Sequence, residues 1–277
     1  MLRRDSNWPH FQNIIASLNP IDFTHFGDGN QTAIRLFQNT LICLDILSCV
    51  STGMEPEFAL KFRDKFRAGE NTLRLDEITG CESSVMECIM NIAVLRYWKE
   101  KETANGSMSL IELAKRALSV ERDLQEIRGK NLDRIKNHSV LTSSIKNIWF
   151  LTNVFACAAS IYLHAAVSGP RPEIPEIKIG VADTIDAIKL LPNGRLLDRL
   201  MWPVCVAACL AEAGHQSFFE QLERGIAEQF GSRQNILRAL NVAKECWKLR
   251  RCSTLSRMDY DWTDAMARIG DIVLLLF

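Results

Sequence analysis

Residues 200–211 read LMWPVCVAACLA, twelve positions with no charged side chain and a Trp-Pro pair near the start. As a helix the run rises about 18 Å, well short of the roughly 30 Å hydrocarbon core of a bilayer, so it does not span one. Pro203 suits the first turn of a helix, where its missing N–H would have had no partner. The stretch therefore reads as a buried helix entered at Trp202–Pro203. A helix that is apolar on every side needs other helices around it, and the fold to expect is all-α.

The neighbouring segments agree. No charged residue occurs from Asn147 to Pro170, and NIWFLTNVFACAASIYLHAAVSG approaches the length of a membrane span. It carries Asn153, Ser160 and His164, each costly in lipid without a partner, so a central helix covered by other helices is the better reading. QTAIRLFQNTLICLDILSCVST at 31–52 makes a long apolar-rich helix ending before Gly53. Ser84-Val85-Met86-Glu87 has the spacing of a capping box, opening a helix that carries Val85, Ile89, Ile92 and Val94. Residues 109–128 place Leu110, Leu113, Leu118, Leu124 and Ile127 among charges. Further helices are expected at 140–168, 181–191, 201–213, 215–230, 233–249 and 261–276.

Between two of them, SGPRPEIPEIKIG holds three prolines and should run extended, an internal break near 169–180. Its one alternating stretch, Ile174 to Val181, is broken by proline and makes a poor strand. The organisation expected is an irregular segment over 1–30 and a single helical domain over 31–277. At the end, Trp262, Met266, Ile269 and Val273 recur at helical spacing before LLLF, and such a terminus should dock into the core.

The 33 basic and 33 acidic residues cancel, leaving no bulk positive field of the kind nucleic-acid binding usually needs. Nine cysteines occur without a C-x-x-C pair or the close, repeated spacing of a zinc site. Most sit among aliphatic residues as small hydrophobes, which points to a reducing compartment, cytosol or nucleus. MLRRDSNWPHFQNIIASLNP is no signal peptide, its apolar run being broken and lacking a cleavage site. There is no G-x-G-x-x-G, P-loop, H-E-x-x-H or G-x-S-x-G.

Several segments together resemble one family. ITGCESSVMECIMNIAVL at 78–95 resembles the middle of the fungal-specific transcription factor domain, the helical regulatory region behind the zinc binuclear cluster of fungal gene regulators. IYLHAAVSGPRPEIPEI at 161–177 is similar to its Leu-His helix and proline exit. RLMWPVCVAACLA at 199–211 resembles its Trp-Pro helix, WTDAMARIGDIVLLL at 262–276 its closing Trp helix, and LICLDILSCVSTGMEPEF at 41–58 its upstream part. The resemblance covers residues 31–277 in order. It implies a regulatory domain that works by binding an effector or a partner. The family's zinc cluster has no counterpart here: the first cysteine is Cys43, inside an apolar helix, so no position can inherit a zinc or DNA-contacting role. Ala208 stands where the family pattern often has Gly.

Candidate site residues follow from the uncharged helix. At about 100° per residue, Asn153, Ser160 and His164 fall within some 40° of one another, with Trp149 close by. One reading has this stripe bonding to neighbouring helices. The other has it lining a mostly apolar cavity with a few placed polar groups, completed by Trp202 and Cys205 of the Trp-Pro helix. His164 would then be the proton donor or acceptor. Cys205 and Cys209, one turn apart, lack the two further ligands a metal would need, and neither metal nor cofactor is expected. KLRRCSTLSR at 248–257 is explained by positive charge near a helix C-terminus. Asp259 and Asp261 suit the start of the closing helix.

The function expected is an effector- or partner-binding regulatory domain, nuclear or cytoplasmic, making no direct contact with nucleic acid or membrane. Its partner would be a hydrophobic small molecule or another protein. The alternative is a biosynthetic enzyme on the same scaffold, an isomerase, epimerase or cyclase of a hydrophobic metabolite with His164 as its acid–base group.

Overall fold

A computed structural model describes residues 28–67, 73–137, 143–228, 234–252 and 259–270. These residues form α1 (Asp28–Thr52), three short helices α2 (Glu57–Leu60), α3 (Arg63–Arg67) and α4 (Asp76–Thr79), and the long helices α5 (Ser83–Asn105), α6 (Leu110–Asn137) and α7 (Ser143–Ser168). There follow α8 (Pro175–Lys189), a 3-10 turn at Gly194–Arg199, α9 (Met201–Cys209), α10 (Ala213–Glu228), α11 (Gln234–Cys252) and α12 (Trp262–Ile269). No strand occurs among the described residues, so the all-α expectation holds.

α7 is the axis. Its uncharged sequence is explained by its neighbours: α5, α6, α8 and α9 all pack against it, and Val154, Ala156, Ala158, Ala159 and Ile161 are fully buried. By length and composition both α7 and residues Gln31–Thr52 of α1 could cross a membrane, and the second of these was not singled out from the sequence. α8 approaches α7 at Gly180, where an added Cβ would stand 2.6 Å from Ile161 Cγ1. Only glycine permits helices this close.

The Trp-Pro helix α9 is buried over all nine residues, with Pro203 in its first turn as read from the sequence. Trp202 stacks on Phe155 at 5.7 Å between ring centroids and meets the edge of Tyr162 at 6.4 Å. Tyr162 in turn touches Trp262 of α12 at 5.8 Å. A chain of four aromatic rings thus ties α7 to α9 and to the closing helix. Trp247 Nε1 donates to Ala208 O at 2.8 Å, and the Arg250 guanidinium donates to Cys209 O and Tyr260 O. So Arg250 of the basic run covers the last carbonyl of α9, Cys209 O, rather than its own helix end, favourably against the helix dipole. Arg251 and Cys252 are exposed, and the run beyond Cys252 lies outside the described residues.

Several local expectations are corrected. Ser84 does not cap α5: the helix begins at Ser83, whose hydroxyl donates to Leu73 O at 2.7 Å and accepts from Leu75 N at 3.2 Å. The N-cap is Glu82, and its N–H is received by Thr152 Oγ1 of α7 at 3.0 Å. The extended break is shorter than 169–180, because Pro175 stands at the first position of α8 with Ile174 extended before it. α6 continues to Asn137 and buries Leu113, Val120, Leu124 and Asn131, leaving Leu110 and Leu118 exposed. Val94 is only half-buried, and Leu95 takes its place in the core.

The start of α1 lies three residues before the expected boundary, and residues 1–27 lie outside the described set. In α12, Trp262 and Met266 are buried and Ile269 packs beside them, whereas Val273 and the LLLF end lie outside the described residues. Eight of the nine cysteines are buried, Cys252 being the exposed one. Burial pushes the thiols of Cys81, Cys88 and Cys157 up to about 12, as suits packing groups rather than nucleophiles.

Candidate functional site

A cleft of about 450 Å³ opens between the C-terminal half of α5, the last turns of α7, the proline exit and the start of α12. Its volume is within the roughly 300–1,000 Å³ of small-molecule sites. Ala165, Ala166, Pro170 and Trp262 supply apolar walls, and Arg96, Lys99, Tyr162 and Asp261 supply the polar groups.

Three of the polar groups, Asp261, Arg96 and Lys99, engage helix ends. Asp261 is the N-cap of α12: its Oδ1 accepts from Thr263 N at 2.7 Å and Asp264 N at 3.3 Å, and Asp264 returns a bond to Asp261 N. This is the capping role expected from sequence. The other oxygen, Oδ2, meets Arg96 Nη2 at 3.2 Å. Arg96 also reaches Glu100 Oε1 at 3.2 Å and Val50 O, at the end of α1, at 3.5 Å. Trp262 Nε1 donates to the same Val50 carbonyl at 3.0 Å. Lys99 Nζ donates to Ala166 O at 2.9 Å and Val167 O at 2.8 Å, the final carbonyls of α7. Two cations of α5 thus satisfy the C-terminal ends of α1 and α7, where the dipole favours positive charge.

Burial disfavours the Arg96 charge, but Asp261, Tyr162 and Glu100 outweigh it, and the net effect holds Arg96 firmly protonated. Burial lowers the Lys99 ammonium below its ordinary range. The Tyr162 phenol is pushed up by burial, with Arg96 pulling the other way. Tyr162 is 1% exposed and borders the cleft, and its O–H meets no acceptor, only the donor-bearing Arg96 beside it.

The six residues singled out from sequence do not share one site. Ser160 and His164 come together in a groove of about 180 Å³ between α6, α7 and α8. There His164 Nε2 lies 3.9 Å from Glu121 Oε1, and Arg128 Nη2 pairs with Asp183 Oδ2 at 2.6 Å. Trp149 borders an open, polar depression, under the Arg134 guanidinium at 5.9 Å. Asn153 is buried, 5% exposed, with its Oδ1 unpartnered. Trp202 and Cys205 lie in the core, Cys205 Sγ 3.8 Å from Cys209 Sγ. Among the described residues no group of three or more His, Cys, Asp or Glu is placed to hold a metal ion.

Of the cleft residues, only Asp261, Trp262 and the Gly169–Pro170 exit stand out in the sequence. Arg96 and Lys99 sit in RYWKEKE, which reads as a polar helix exit. Tyr162 was available as a signal. It is a hydroxyl-bearing residue in the uncharged helix, about 180° from Asn153 and so on the face opposite the stripe that drew notice.

The profile of the fungal specific transcription factor domain matches residues 10–276. The chain belongs to this family. All the motif segments read from the sequence lie within the matched range, and their described residues fall mainly on α1, α5, α7 and its proline exit, α9 and α12. Among relatives, the trichothecene biosynthesis transcription regulator of Fusarium sporotrichioides is 30% identical over 243 residues, covering 88% of this chain and 54% of that protein. Its namesake in Trichoderma arundinaceum is 30% identical over 253 residues, covering 88% and 54%. The ustiloxin B cluster transcription factor of Aspergillus flavus is 29% identical over 270 residues, covering 94% and 46%. The chain spans about half the length of these relatives. No solved structure matches the chain. As a fungal specific transcription factor domain, this chain keeps its Trp-Pro and closing Trp helices in direct aromatic contact with α7.

Proposed function

We propose that the chain is the regulatory part of a transcription regulator that controls a fungal biosynthetic gene cluster, acting in the nucleus through an effector or partner. The observation that carries this reading is the match, along nearly the whole chain, to a named regulator of trichothecene biosynthesis and a named transcription factor of the ustiloxin B cluster. The cleft supports it: a pocket of ligand size is bounded by a short closing helix whose N-cap is tied to α5 through the Arg96–Asp261 ion pair. An element so held is a natural candidate for a bistable switch. DNA recognition is assigned to none of these residues.

The enzymatic alternative rests on His164. Its groove, about 180 Å³, is smaller than the roughly 300 Å³ at which ligand sites usually begin, so the regulatory reading is preferred.

The test is to tether the chain to an unrelated DNA-binding module in a fungal host and measure transcription from a reporter carrying that module's sites. Altered reporter output, relative to the module alone, is expected. Output equal to that of the module alone would count against the proposal.

A further inference from the structure

We propose that the cleft between α5, α7 and α12 binds an apolar small molecule presenting an oxygen acceptor, a ketone or a carboxylate, to the Tyr162 hydroxyl and Lys99. This deepens the effector reading given above and rests on it.

A hydrogen-bond census of the cleft supplies the chemistry. Arg96 has only donors, and it borders the Tyr162 hydroxyl; a phenol beside a guanidinium offers its lone pairs to the cation and its O–H elsewhere. That O–H has no protein acceptor. Leaving a buried polar group unpaired is costly, so a ligand acceptor would gain the bond without displacing one. Lys99 Nζ uses two of its three donors on Ala166 O and Val167 O and has a third to offer. The nearby carboxylates are already engaged. Asp261 receives two backbone N–H groups and Arg96, Glu100 pairs with Arg96, and Asp259 lies toward Arg171 at 3.7 Å. Open donors therefore meet committed acceptors. Trp262, Ala165 and Pro170 offer the apolar body of the ligand its walls.

Occupancy also reaches α12. A ligand oxygen drawn to this corner competes with Asp261 Oδ2 for Arg96, the contact that fixes the N-cap of the closing helix. Ligand binding would then bias how α12 sits against α1 and α7.

The experiment is calorimetric titration of the 277-residue chain with three probes of one shape: 2-acetylnaphthalene, 2-naphthoate and 2-naphthylmethylammonium. The ketone and the carboxylate are expected to bind at least about tenfold more tightly than the ammonium, which has donors only. Tyr162→Phe should weaken both acceptor probes by about tenfold while melting close to wild type, since the O–H it removes meets no acceptor and Arg96 keeps Asp261 and Glu100. Ala104→Trp, at the exposed rim, should block all binding without disturbing the core. Equal affinity for ketone and ammonium, or a Tyr162→Phe variant that binds as well as wild type, overturns the acceptor chemistry and leaves the effector cleft standing. No saturable binding by any probe up to about 1 mM overturns the cleft as a site, whatever the tethered reporter shows.

Discussion

Arg96 and Asp261, 165 positions apart in the sequence, meet at 3.2 Å and join the middle of the chain to the start of its closing helix. Their side chains are 17% and 11% exposed. Breaking so enclosed a pair strands a charge, so Arg96→Met should destabilise the fold by about 3–5 kcal/mol. Asp261→Asn keeps a capping oxygen and leaves Arg96 its Glu100 partner, and should cost less, about 2–3 kcal/mol. The two contact each other directly, so the double variant should fall short of additivity by about 1 kcal/mol or more in urea unfolding. Additive losses would mean that the pair does not hold α12.

Gly180 marks where α8 lies closest to the axis. Alanine is favoured in helices by about 1 kcal/mol over glycine, yet here its Cβ would stand 2.6 Å from Ile161 Cγ1, on a residue that is fully buried. Gly180→Ala should therefore destabilise by about 1–3 kcal/mol. Gly129→Ala in α6 meets nothing within 4 Å and should stabilise by up to about 1 kcal/mol. Thermal melts of both variants check this, and a Gly180→Ala protein that melts above wild type contradicts the close approach.

Trp202 and Trp262 are buried alike, but only the second donates its indole N–H, to Val50 O; the Trp202 Nε1 has no partner. Replacing either with Phe opens a similar cavity. Trp262→Phe also strips a bond, so it should cost about 1 kcal/mol more than Trp202→Phe. Equal losses by chemical denaturation would remove the indole bond from the account.

Asp45 in α1 is 4% exposed, and its Oδ2 accepts from Ala59 N at 2.9 Å. Burial raises its pKa from the ordinary 3.8 to about 6, against the pull of the Ala59 and Phe58 backbone N–H groups. The folded carboxyl holds its proton to higher pH than the unfolded one. Its contribution is therefore greatest below pH 3.8 and declines as the pH rises through about 6, by about 3 kcal/mol in all. Asp45→Asn cannot ionise. Relative to wild type it should gain stability between about pH 4 and pH 7, in unfolding curves taken across that range. A difference independent of pH would contradict the shift.

The fold was legible because it rests on local patterns. The uncharged run of α7, the Trp-Pro start of α9 and the Asp261 cap each bear their signal in adjacent residues. Errors arose where a side chain answers to something distant. Ser83, not Ser84, opens α5, because the turn at Leu73–Leu75 takes its hydroxyl. Leu110 and Leu118 follow a helical period, but no described helix covers them. The cleft was the least legible part: Arg96, Lys99, Tyr162 and Asp261 come from three helices, and no spacing along the chain reveals their convergence. The stripe on α7 was real as a stripe, but α6, α8 and the core divide its residues among separate surroundings.

The central claim, regulation of a biosynthetic gene cluster, is tested most directly by deleting the gene in the organism that carries it and sequencing the transcripts. A coordinated change across one contiguous set of biosynthetic genes, reversed by restoring the wild-type gene, is the expected result. Unchanged transcripts in every such cluster, under conditions in which the gene is expressed in the parent strain, would contradict it.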